Sequence, residues 1–225
     1  MPVPVTFIAA VEDEDTRKVY KALSMYPWVV TTNPNEIRRL ILNSKYVVYL
    51  GHGERDSLIV GDQKVIEACR NDSLLTNKSV MLISCKTGSV LLRSAASKGP
   101  INALGFKRSF FFLSDDRYPP EKDPYLHACL APVKAAIDAF YVTGDVRAAK
   151  EAFKKATRLV RHELASKRGS DIGIVDAFLM WNEENLETIQ SIAMAETPWW
   201  IWAIPIAVMT GLAVFFASLR MIRGG

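Results

Sequence analysis

Short unbroken runs of aliphatic and aromatic residues alternate with stretches whose apolar residues recur every three or four positions. The runs at 3–10, 28–32, 46–50 and 80–84 predict buried strands, and the stretches at 12–23 and 36–42 predict amphipathic helices. Near-continuous apolar strands separated by such helices predict a mainly parallel sheet covered on both faces, an α/β fold. Residues 57–63 predict a small hairpin turning at Gly61-Asp62, and 65–69 the start of a crossover helix. Further along, 90–97 predicts a helix and 109–113 another strand, with a loop over 115–120 at its end. Two helices follow at 124–141 and 146–167, parted by Thr143-Gly144-Asp145.

The pattern then changes. No charged residue occurs from 197 to 219, a stretch long enough to cross a bilayer at about 1.5 Å per residue. Trp199, Trp200 and Trp202 cluster at one end and Arg220 and Arg223 close the other, as at membrane interfaces. The predicted organisation is a domain over 1–168, a helix-rich juxtamembrane connection over 169–196, a transmembrane helix over 197–219 and a short basic tail over 220–225. The first residues lack the basic and apolar regions of a signal peptide. The expectation is a single-pass, C-terminally anchored protein with its large domain in the cytoplasm, although the arginines after the span favour a cytoplasmic tail.

Composition narrows the chemistry. Of 225 residues 49% are hydrophobic and 23% charged, enough for one domain with a substantial core. The net charge of +4 is mild, and the basic residues between 147 and 168 intermix with acids and lack interleaved aromatics. They read as solvated faces, with no nucleic-acid contact indicated. Cys69, Cys85 and Cys129 lack the paired spacing of a zinc site and do not look like a disulfide framework. His127 and Cys129 lie two apart on a predicted helix and so point to different faces. His162-Glu163 opens a zinc-peptidase motif that fails at Ser166, and no phosphate-loop spacing is present. No metal or cofactor is expected, and a nucleotide-binding domain is disfavoured.

Two strand endings stand out. The run Lys45–Leu50 stops at Gly51-His52-Gly53, and the run Ser79–Ile83 stops at Ser84-Cys85, with Gly88 shortly after. Parallel sheets place sites beyond the carboxyl ends of their strands. A thiol needs ionisation or a base within reach, and an imidazole on a neighbouring strand supplies both. The amides of Gly53 and Cys85 together would cradle the oxyanion of a tetrahedral intermediate.

These motifs, Tyr-Leu-Gly51-His52-Gly53 and Leu-Ile-Ser84-Cys85, resemble the His-Gly and Ser/Ala-Cys motifs of caspase-like cysteine peptidases, among them caspases, gingipains, legumain, separase and CHAT domains. The segment Gly99–Phe106 followed by a strand is similar to the stretch after the nucleophile in CHAT and gingipain relatives. The resemblance spans roughly 1–165. It implies a caspase-like three-layer α/β/α sandwich, with His52 as general acid/base, Cys85 as nucleophile, and an oxyanion hole from the Gly53 and Cys85 amides.

The implied ligand is a protein or peptide, with a regulatory protein or a second copy of the chain as a further partner. Asp115 and Asp116 at a predicted strand end favour a basic residue before the scissile bond, whereas Arg117 would suit an acidic one. Glu54, beside the His-Gly pair, is a candidate to orient His52 or line the pocket. Two readings result: a membrane-anchored cysteine endopeptidase, or a caspase-like scaffold that lacks turnover and recruits a partner to the bilayer.

Overall fold

The computed structural model describes residues 2–167 and 169–191. The predicted membrane span over 197–219 lies outside the described residues, as does the tail after it. Among the described residues no helix is long and apolar enough to cross a membrane.

Six strands form one mixed, mainly parallel sheet: β1 (Val5–Ala9), β2 (Trp28–Val30), β3 (Tyr46–Leu50), β7 (Lys78–Ile83), β8 (Ile101–Phe106) and β9 (Leu186–Ser191). Their spatial order is β2-β1-β3-β7-β8-β9, and only β9 runs antiparallel to its neighbour. Alternate residues feed two cores, as the period of a strand requires. Phe7, Ala9, Val48, Leu50, Met81 and Ile83 face α1 (Glu14–Ala22), α4 (Pro124–Thr143) and α5 (Val146–Ala165). Ile8, Ala10, Val47, Tyr49, Val80 and Leu82 face α2 (Pro34–Leu42) and α3 (Leu91–Lys98). Both faces are therefore buried, which is why these strands read as continuous apolar runs rather than alternating ones.

The hairpin forms where expected, but it is longer. β5 (Ser57–Val60) and β6 (Gln63–Glu67) turn at Gly61-Asp62, and β5 also pairs with the two-residue β4 (His52–Gly53). Val65 and Ile66, predicted to open a helix, are instead buried positions of β6. The Gly61 turn brings 63–67 back along β5, so the hairpin ladder takes the residues that the helix would have used. The crossover to β7 then contains only one 3-10 turn, Asp72–Leu75.

Two more differences bear on the site. The strand after α3 is Ile101–Phe106, and the predicted strand over 109–113 is irregular chain. Side chains take its backbone groups out of any ladder. Asn182 Oδ1 accepts from the Phe111 amide at 3.0 Å while its Nδ2 donates to the Phe111 carbonyl at 2.7 Å. Cys129 Sγ accepts from the Leu113 amide. The second difference is at the predicted connection. Residues 169–191 form α6 (Ser170–Asn185) and then β9, which pairs from Phe106↔Leu186 to Ile101↔Ser191 and closes the β8 edge. They belong to the same compact unit as the strands, so no structural boundary falls at 168.

Candidate active site

Register brings the two motifs to one level. β3 and β7 are parallel neighbours paired Leu50↔Ile83, and His52 and Cys85 each stand two residues beyond that pair. The Gly51 amide donates to the Ile83 carbonyl at 3.3 Å, which extends the pairing past the ladder. His52 and Cys85 both line a cavity of about 120 Å³ at the carboxyl ends of these strands. This is the position that an open parallel sheet reserves for a site.

His52 is oriented by a carboxylate. Its Nε2 lies 2.7 Å from Asp13 Oδ2. Asp13 caps α1, and its other oxygen accepts from the Thr16 amide at 2.8 Å and the Thr16 hydroxyl at 2.7 Å. The Thr16 hydroxyl oxygen in turn accepts from the Asp13 amide, completing a capping box. Partial burial acts to raise the Asp13 carboxyl, but the bonds from Thr16 and from His52 outweigh it and hold the group below the ordinary carboxylate value. An ionised carboxylate only accepts, so Nε2 carries the ring proton and neutral His52 keeps its lone pair on Nδ1.

Cys85 is half-buried, and its Sγ accepts from the Phe110 amide at 3.4 Å. Among the described residues no hydrogen bond joins His52 to Cys85, and the Cys85 amide donates to none of them. The chain turns sharply after the thiol. Lys86 sits in the left-handed region at φ 62°, unusual for a residue with a Cβ, while its amide donates to Arg108 and its carbonyl accepts from Ser89. Gly53 is pressed against this turn. A Cβ there would lie 2.7 Å from the Cys85 carbonyl oxygen and 2.6 Å from Thr87 Cγ2. Glycine is what permits the approach of the two backbones.

The predicted binding residues are not brought to this cavity. Glu54 donates its amide to the Ser57 carbonyl and is exposed, and the carboxylate on His52 belongs to Asp13. Asp115 is held in a fork by Arg117, with both carboxylate oxygens 2.9 Å from Nε. Asp116 pairs with Lys18 at 2.6 Å. Both aspartates line hollows shared between the 113–118 loop and neighbouring helices, and neither lines the His52–Cys85 cavity. Their expected strand end does not exist, since 109–113 is not a strand.

Asp13, Val19, Phe110 and Phe112 enter the site unannounced by the motifs. Only Asp13 had a readable signal, an Asp-x-x-Thr cap that leaves one carboxylate oxygen unused. The buried Cys129 offers a contrast to Cys85, because burial pushes its thiol up to about 11, against the opposing effect of the Leu113 amide. Among the described residues no group of three or more His, Cys, Asp or Glu could hold a metal ion. No family model, no curated protein and no solved structure matches this chain.

Proposed function

We propose that the protein is a caspase-like cysteine endopeptidase, anchored at a membrane through 197–219 with its peptidase domain in the cytoplasm. The single observation that supports this best is the shared level of His52 and Cys85 on the paired ends of β3 and β7, with Asp13 orienting the imidazole. Cys85 Sγ attacks the substrate carbonyl carbon while its proton passes to His52 Nδ1. The Gly53 and Cys85 amides receive the oxyanion. His52 returns the proton to the departing amine, which leaves a thioester on Cys85, and water attacking that thioester releases the acid and restores the thiol.

Cys85→Ala and His52→Ala should each lower cleavage of a peptide library by about 10³-fold or more while circular dichroism is unchanged. Asp13→Asn should cost about 10–100-fold by loosening the imidazole. Cleavage that persists in Cys85→Ala removes the proposal. One feature favours the silent scaffold instead: the thiol is bonded to the Phe110 amide and not to His52. That reading is preferred if a peptidyl electrophile fails to label Cys85 in the wild-type protein.

A further inference from the structure

We infer that the cavity beside Cys85 selects an apolar side chain, of about leucine or methionine size, in the substrate residue whose carbonyl Cys85 attacks. The ligand's identity rests on the peptidase reading above, whereas the chemistry of the pocket comes from its walls. Leu50 and Ile83, the last residues of β3 and β7, stand beside Val19 of α1 and the rings of Phe110 and Phe112. Leu50, Ile83 and Val19 are all buried members of the main core, so this wall is a continuation of the protein interior.

The polar groups at the cavity are already engaged. Thr16 and His52 are bonded to Asp13, and the Ser84 hydroxyl lies 3.2 Å from that of Thr87. Asp15 is the remaining charge, and it is exposed in the first turn of α1. A basic or acidic side chain would shed its hydration among aliphatic and aromatic groups. The acids that the sequence suggested for a basic substrate, Asp115 and Asp116, are held by Arg117 and Lys18 elsewhere. Size is limited too. A space of about 120 Å³ falls a little short of the cavity of roughly 150 Å³ that takes up a benzene ring. The side chains of leucine and methionine, each smaller than that ring, suit it.

The test uses the full chain and peptidyl chloromethyl ketones that differ only in the residue bearing the electrophile, with Cys85 modification followed by mass spectrometry. Leucine and methionine probes should react about 10–200-fold faster than alanine, aspartate, lysine or arginine probes. Phe112→Ala, a change in irregular chain outside the sheet, should shift the optimum towards phenylalanine or tryptophan. A ranking led by lysine or arginine and abolished by Asp15→Asn overturns the inference. A second arm measures binding of short peptide amides to Cys85→Ala by calorimetry. Preferential binding of the leucine peptide there sustains the pocket even if no probe labels wild-type Cys85, a result that would count against the peptidase alone. Equal binding of leucine, aspartate and arginine peptides overturns the pocket whatever the activity.

Discussion

A methyl group added to Gly53 would meet backbone on one side and a threonine methyl on the other. The carbonyl of Cys85 cannot swing aside as the end of a flexible side chain can, because the Lys86 amide and carbonyl are both hydrogen-bonded in the turn that follows. Gly53→Ala should therefore destabilise the fold by about 1–3 kcal/mol, and slow Cys85 labelling by far more than that loss implies. Urea titration and thiol-labelling kinetics on the same variant separate the two effects. Lys86 has the opposite character, a side-chain-bearing residue kept in a glycine-like conformation by its neighbours. Strain of this kind is sustained only when the surroundings over-determine the turn, which here they do through Arg108 and Ser89.

At the scale of elements, the buried Asp123 decides how α4 begins and how the preceding loop ends. One oxygen accepts from the Tyr125 and Leu126 amides, and the other accepts from Asp115 at 2.7 Å. Asp123→Ala should cost about 1.5–3 kcal/mol, more than an ordinary cap, because the half-buried loop amide of Asp115 loses its acceptor as well. The urea midpoint measures that loss. The other end of α4 stops at Gly144, at φ 67°, with the Tyr46 ring packed over the site a Cβ would occupy. The stop at Gly144 was legible in the sequence, as the Thr143-Gly144-Asp145 break between two apolar repeats. The strands β1, β3 and β7 were legible too, since burial on both faces produces unbroken apolar runs. Ser109–Leu113 was misread for the same reason. Five residues fit to be a strand are diverted when Asn182 and Cys129, distant in sequence, take their backbone amides. His52 and Cys85 were visible because they end strands, whereas Asp13 became a partner only through the placement of α1, and spacing along the chain does not encode that.

Across the whole molecule, several carboxyls make stability depend on pH. Burial acts to raise Asp72, but Lys98, Ser94 and the Cys69 amide outweigh it and hold the group below its ordinary value, as Thr16 and His52 do for Asp13. Both groups bind protons more weakly in the folded chain than in the unfolded one. Their contribution is therefore complete above about pH 4, the unfolded carboxylate value, and drains away as pH falls through the lowered folded values. The urea midpoint should drop as the pH is taken down from about 4, and Asp72→Asn should flatten that slope while lowering the midpoint at neutral pH. Equal slopes in the two proteins would remove Asp72 from the account.

The direction of β9 sets the pole of the sheet at which Ser191 lies. Because the strand runs from the Phe106 end of β8 back to the Ile101 end, the chain leaves at Ser191 on the pole of the sheet opposite Cys85. Any tether acting through Ser191 therefore pulls on the far pole, about 20 Å from the thiol by the length of a six-residue strand.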